Sequence, residues 1–283
     1  MNTPSFGRVR IHYKVYGSGP PLLLIHGLMT SSYSWRYILE ELGSRFRLIA
    51  PDLPGCGRSD KPPDRSYRSA ALAAWIGDFQ DSVGIPGCDT VGNSLGGQLC
   101  LRRVLMAPAS FARLAVIHPP VLPDKRLRAL HAMLAMPGAT RALAWWVRRS
   151  PQRWAHRNVH YYDETLKSLE EAREYGGPLS TTEGARAFVR WLSEALAPAD
   201  LARFATELRR RLGEGVAFPV PLLLLYARQD PLVDPAMGDA LHKLVRSATM
   251  VRLERSSHFA HVDTPDAVAR ELATFFAAGQ RAH

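Results

Sequence analysis

Apolar residues in this chain cluster in short runs. Pro21-Leu22-Leu23-Leu24-Ile25, Phe46-Arg47-Leu48-Ile49-Ala50, Leu114-Ala115-Val116-Ile117, Pro221-Leu222-Leu223-Leu224-Leu225-Tyr226 and Thr249-Met250-Val251-Arg252-Leu253 are such stretches, with Arg47 and Arg252 the charged positions within them. Runs this short are strands buried on both faces, the condition of a parallel sheet. Cys88–Gly92 supplies another. Upstream, Val9, Ile11 and Tyr13 alternate with Arg10 and His12, as in a half-exposed strand. Stretches of helical character around Trp35–Leu42, Arg68–Val83 and Leu95–Met106 separate the runs. Strands alternating with helices predict an α/β fold with a mostly parallel central sheet flanked by helices.

From about Pro119 to Pro219 the strand pattern stops. The segment reads as helices, including Leu127–Met136, Ala139–Arg149 and Gly184–Leu196, rich in Arg, Ala, Leu and Trp. An all-helical insertion between two strands of one sheet is most simply a cap over the edge where open α/β sheets bind ligands. The expected division is a core of residues 1–118 and 219–283 and a helical cap of residues 119–218. Four of six tryptophans lie in the cap. Trp145, Trp146, Trp154 and Trp191 are therefore candidate pocket walls, with Phe259 from the core, although about half of these rings are expected simply to pack.

The chemistry is concentrated in Val91-Gly92-Asn93-Ser94-Leu95-Gly96-Gly97. A strand turning at once into a helix leaves its middle residue strained and exposed. Such a turn tolerates no bulky Cβ two residues before or after, and Gly92 and Gly96 stand there. This is the nucleophile-elbow pattern GxSxG with a strand before it and a helix after it. The alternative for Ser94, an ordinary helix N-cap, would need its hydroxyl to accept from the first turn.

His26-Gly27 after a buried strand, the loop Asp52-Leu53-Pro54-Gly55-Cys56-Gly57-Arg58-Ser59-Asp60, the elbow and two C-terminal motifs together resemble the α/β-hydrolase fold superfamily, in its capped serine-esterase or carbon–carbon hydrolase branches. The likeness runs from about Val9 to Phe276. It implies a Ser, acid, His order along the chain. In Ala227-Arg228-Gln229-Asp230-Pro231 the position of the family acid falls on Asp230, with Asp234 a competitor one turn further on. In Ser256-Ser257-His258-Phe259-Ala260-His261 the family histidine falls on His258, with His261 a competitor. The implied oxyanion donors are the backbone N–H groups of Leu28 and Leu95, and His26 takes a loop-bracing position. Ala227 and Ser257 stand where Gly is commoner.

Composition narrows the rest. At 283 residues the chain buries enough surface to need no staple. Three cysteines without a CxxC pair, no apolar leader and no run of membrane-spanning length suggest a cytoplasmic protein. The net charge of +10 is spread out, with 16 Lys/Arg against 11 Asp/Glu in residues 120–218, and no nucleic-acid-binding motif accompanies it. Arg141, Arg148, Arg149, Arg186 and Arg190 read as a solvated face, one of them available to a substrate carboxylate. His156 and His160 have i, i+4 spacing but no third partner in view, so no metal and no cofactor is expected.

The expected reaction is hydrolysis of a small to medium, largely apolar carboxylic ester through an acyl-enzyme, by a monomer or homodimer with a small-molecule substrate. Serine at the elbow sets the chain apart from the dehalogenase and epoxide hydrolase branches it otherwise resembles, which carry Asp there. The alternative is carbon–carbon hydrolysis of ring-fission products. Gly92-Asn93-Ser94 and the Arg-bearing cap favour it. His26-Gly27-Leu28-Met29, lacking Gly-Pro-Gly, and Phe259 in place of Trp speak against it. Lipases, acyltransferases and perhydrolases share the same machinery, and a non-catalytic hydrolase-fold binding protein would be expected to have lost a triad member.

Overall fold

A computed structural model describes residues 9–213 and 217–277. Seven strands, β1 (Tyr13–Tyr16), β2 (Pro21–Ile25), β3 (Arg47–Pro51), β4 (Asp89–Asn93), β5 (Leu114–Ile117), β6 (Leu222–Ala227) and β7 (Thr249–Leu253), form one sheet in the order β1-β3-β2-β4-β5-β6-β7. Only β1 is antiparallel to its neighbour.

The unbroken apolar runs are explained by cover on both faces. Leu23 and Ile25 point into one cluster with Leu72, Ile76, Leu99 and Val104, on α2 (Ser69–Ser82) and α3 (Leu95–Met106). Leu22 and Leu24 point into the other with Trp35, Ile38 and Leu42 near α1 (Leu39–Gly43) and with Val268, Leu272 and Phe276. Each such fully buried Leu or Ile contributes about 1.5–3 kcal/mol relative to exposure, so both faces hold the sheet.

Between β5 and β6 the described residues contain helices and no strand: α4 (Lys125–Leu134), α5 (Ala139–Arg149), α6 (Pro151–Asn158), α7 (Leu169–Gly176), α8 (Thr182–Arg190) and α9 (Pro198–Gly213). After β6 come α10 (Ala236–Leu244), α11 (Ala260–Asp263) and α12 (Pro265–Ala277). Helix α8 continues as a turn of π-helix over Trp191–Ala195.

Two local expectations shift. The alternating segment Val9–His12 is not itself a strand. Its backbone is taken by the Asp52–Asp60 loop, through Arg10 N to Asp60 Oδ2 at 3.0 Å and His12 N to Ser59 Oγ at 2.9 Å, so sheet pairing begins only at Tyr13. The expected helix Trp35–Leu42 is a 3₁₀ turn, Ser32–Trp35, followed by the short α1. Ser31 caps the turn by accepting from Tyr33 N, while Trp35, Ile38 and Leu42 are buried on one face.

Strand register prepares the site. Ile25 pairs with Gly92, Asn93 with Ile117, Ile117 with Leu225, and Ala227 with Leu253. The loops after β2, β4, β5, β6 and β7 therefore leave the sheet along one edge.

Candidate active site

Ser94 sits between β4 and α3 at φ 53°, ψ −126°. A non-glycine residue in that region costs about 1–3 kcal/mol and persists only where its surroundings enforce it. The enforcement is visible. A Cβ on Gly96 would lie 2.4 Å from the carbonyl oxygens of both Ile25 and His26, and one on Gly92 would lie 2.6 Å from Gly97 Cα. Ser94 N donates to Ile117 O at 2.7 Å. The hydroxyl makes no capping bond to its helix, so the N-cap alternative for Ser94 fails. Asn93 Nδ2 reaches His258 O at 3.3 Å and Ile117 O at 3.4 Å, tying the elbow to the histidine loop.

Asp230, just beyond β6, accepts at both carboxylate oxygens. Oδ1 takes Leu232 N at 2.7 Å and Val233 N at 2.9 Å, and Oδ2 takes His258 Nδ1 at 2.7 Å. Burial alone would push this carboxyl up, but the charge of His258 and the hydrogen-bonding contacts of His258 and His118 outweigh it and hold the group well below the usual carboxylate range. With Nδ1 donating, Nε2 is the His258 nitrogen left to receive a proton. The loop before His258 is pinned by Ser257, whose N and Oγ both donate to Asp263 Oδ2 at 2.7 Å, while Oγ also reaches His160 O at 3.1 Å. A Gly at 257 would lose the hydroxyl contacts.

Asp234 is exposed and accepts instead from Ala236 N at the start of α10. His261 is fully buried, its ring 4.6 Å from that of Trp35 and neither nitrogen partnered. Burial lowers its imidazole to about 3.

His118, which the sequence analysis passed over, stands immediately after β5. Its ring is fully buried, with Nδ1 3.0 Å from Asp230 Oδ2 and Nε2 accepting from Ala227 N at 3.1 Å. The signal for it was present in retrospect: a histidine one residue past a strand adjacent to the acid-bearing strand, followed by Pro119-Pro120.

Ser94 and His258 both line a cavity of about 590 Å³ between the sheet edge and the helices of residues 119–218. Leu28 and Leu95 line it too, and Leu95 begins α3, so its N–H is among those a helix leaves free. The remaining wall is mainly Leu, Met, Phe and Trp.

This serine on a strained elbow with a histidine–carboxylate pair on the same edge meets a matching family signature: residues 20–265 fit the alpha/beta hydrolase fold model. The chain belongs to that family. Epoxide hydrolase 4 of Mus musculus is 29% identical over 95% of this hydrolase and 79% of the relative. Haloalkane dehalogenase 2 of Mycobacterium tuberculosis is 28% identical over 94% of this chain and 91% of its own. The solved structure of the epoxide hydrolase CorEH superposes with a TM-score of 0.79 over 95% of both chains at 21% identity, a likeness of fold.

The candidate pocket aromatics of this hydrolase divide. Trp146, Trp154 and Phe259 line the Ser94 cavity. Trp145 does not: one residue along α5 from Trp146, it faces a separate cleft with Arg141, Arg148 and Arg186. Trp191 does not either, because its fully buried indole donates to Pro54 O at 3.0 Å and anchors the helical segment to the core. None of the five singled-out cap arginines lines the cavity, where Arg126 is the basic residue. His160 lies beyond the end of α6, so it shares no helix face with His156. Among the described residues no cluster of three or more His, Cys, Asp or Glu could hold a metal, and no helix is long and apolar enough to cross a membrane. His26 braces the first loop, accepting from Leu53 N at Nε2 and bonding Gly27 O through Nδ1.

Proposed function

We propose that this hydrolase cleaves apolar carboxylic esters through an acyl-enzyme on Ser94, with His258 as general base, Asp230 orienting it, and the N–H groups of Leu28 and Leu95 receiving the oxyanion. Residues 119–218 act as the cap that builds the acyl pocket. The observation that carries this reading is the His258–Asp230 pair at 2.7 Å beside a serine held at φ 53° in the same cavity. Asp230 holds the imidazole in the tautomer with Nε2 open, Nε2 takes the Ser94 proton as Oγ attacks the carbonyl, and the imidazolium returns it to the leaving alcohol. Water then repeats the sequence on the acyl-enzyme.

Chemistry separates this from the reactions named for its relatives. Serine attacking an alkyl halide or an epoxide would leave an ether, which has no carbonyl for water to attack, and the enzyme would stop after one event. Attack on an ester leaves an ester, which the same histidine can hydrolyse. The apolar wall suits an aliphatic or aromatic acyl group. Of the two features favouring carbon–carbon hydrolysis, the arginine-bearing cap brings only Arg126 to the cavity, the five singled-out arginines lying outside it.

Fluorophosphonate labelling with mass spectrometry, followed by rates on p-nitrophenyl esters from acetate to decanoate, tests the reading. Expected are one label, on Ser94, absent from Ser94→Ala, and steady ester turnover. An unlabelled native chain, or turnover of a halide or epoxide exceeding that of every ester, would overturn it.

A further inference from the structure

We propose that His118 is a positioning residue of this hydrolase, a second imidazole on Asp230 that holds the carboxylate in place and tempers its pull on His258. The proposal rests on the reading of Ser94, His258 and Asp230 given above.

The geometry fixes His118's role at each nitrogen. Ala227 N–H points at Nε2, so Nε2 is the acceptor and the proton of the neutral ring belongs on Nδ1. Nδ1 lies 3.0 Å from Asp230 Oδ2, the same oxygen that takes His258 Nδ1, though the approach is bent away from ideal. The two imidazoles are themselves 5.8 Å apart, centre to centre, and both reach the same oxygen. Asp230 thus accepts two backbone donors on Oδ1 and His258 on Oδ2, with the bent His118 Nδ1 contact at that same oxygen.

His118 is placed there at a cost. Its backbone is left-handed, at φ 51°, and its N donates to Leu225 O at 3.1 Å, so the strand ends of β5 and β6 are locked together at the residue that faces the acid. The ring packs edge-on to Tyr226, whose hydroxyl donates to Pro119 O. An apolar residue would fill the same space but would strain this left-handed backbone no less. The nitrogens are what a mere core residue at this point would not supply.

The charged and titratable groups around the ring are Asp230 beside it, His258 on the same carboxylate oxygen, Tyr226 beneath, Arg252 on β7 behind Tyr226, and His261. Arg252 is engaged by Asp239. Burial keeps His118 neutral, lowering it below the ordinary histidine range against the raising effect of Asp230. It therefore donates a hydrogen bond without adding a positive charge that would oppose protonation of His258. Taking the donor away leaves Oδ2 less solvated, strengthens its hold on the His258 proton, and moves the acid limb of activity upward.

The test compares His118→Phe, which keeps the ring and loses both nitrogens, with His118→Asn, whose amide nitrogen can stand where Nδ1 stood and whose backbone tolerates the left-handed region. Expected for His118→Phe is a kcat about tenfold lower at unchanged KM, with the acid limb of kcat raised by about one pH unit, the order of one hydrogen bond to a charge. His118→Asn should recover most of the kcat and the wild-type limb. Equal behaviour of the two variants, or an unmoved limb in His118→Phe, would overturn the proposal. Ring ¹⁵N–¹H spectra of the native protein decide the matter even if a variant fails to fold. Expected is a neutral His118 protonated at Nδ1 at neutral pH, and an Nε2–H tautomer would overturn it. A native chain inert to fluorophosphonate and to every ester would sink the hydrolase reading instead, a result distinct from any of these.

Discussion

The sheet edge and the helical segment over it are built to different standards. At the edge, Asp230 accepts four contacts, Ser94 is held by its amide and two flanking glycines, and His258 is 3% exposed. In the segment, Trp145 and Trp146 are more than half exposed, and α4 contributes a single buried residue, Leu134. Polar anchors fasten the segment to the core: Arg36 to Glu171 at 2.6 Å, Arg102 to Asp200 at 2.8 Å, Glu194 to Tyr67 N at 2.8 Å, and the Trp191 indole. The wall facing Ser94 is correspondingly open. The comparison teaches that the proposed reacting groups are set by backbone constraint and the pocket by helix packing, so the two should respond differently to change.

The sharpest break in that comparison is at the edge. Ser94→Ala should lower ester turnover by about 10⁶, and Asp230→Asn by about 10⁴, through loss of the required tautomer. Ser94→Ala should leave the urea midpoint of unfolding near wild type, whereas Asp230→Asn should also lower it by removing a buried, paired carboxylate. A residual rate within tenfold of native in either variant would remove that group from the machinery.

Gly96→Ala probes the elbow's sterics. Its Cβ would enter the space of two carbonyl oxygens, so stability should fall by about 3 kcal/mol. Urea unfolding measures this, and a neutral result would mean the turn is not held as described.

In the segment, Trp154→Ala should act on selectivity. Trp154 packs against Trp146 and Phe188, with ring centroids 5.0 and 6.1 Å apart, and faces the cavity. Its loss should lower kcat/KM for decanoate esters about tenfold relative to acetate. A proportionate loss on both substrates would show that the segment governs rate as well as fit.

A further expected effect concerns pH. His26, His118 and His261 are buried with lowered proton affinity, burial being the leading cause in each. Above about pH 6.5 neither folded nor unfolded chain protonates them. As pH falls below that value the unfolded chain takes up protons that the folded chain refuses, in the case of His261 down to about 3. Stability is thus fully present above neutrality and lost on acidification, by about 1.4 kcal/mol per pH unit for each such histidine. Asp230, lowered in the fold, adds a loss of the same sign below about pH 4. His261→Phe should flatten the change in urea stability between pH 6 and 4 by one proton's worth, and an unchanged slope would count against a neutral buried His261.

The legibility of the site follows the same division. Gly92, Ser94 and Gly96 could be read because a strand-to-helix turn with that strain admits few residues. The chain order of Asp230 and His258 came from the family resemblance, matched to their places beyond strand ends. Leu114–Ile117 and Ala139–Arg149 were found to the residue, since apolar runs and amphipathic helices announce themselves locally. Trp145 and Trp191 were misplaced because a tryptophan's presence on a helix does not say which neighbour that helix turns toward. His118 was missed because its meaning depends on β5 lying beside β6, a pairing between residues more than a hundred positions apart.

What the chain's sequence determined alone is therefore the set of groups and the local turns that strain or expose them, because those are fixed by sterics and patterning over a few residues. What tertiary structure decided is which groups share an oxygen, which rings share a cavity, and which arginines do not. Those outcomes depend on strand order and helix rotation, and both are settled by packing free energies summed over distant parts of the chain.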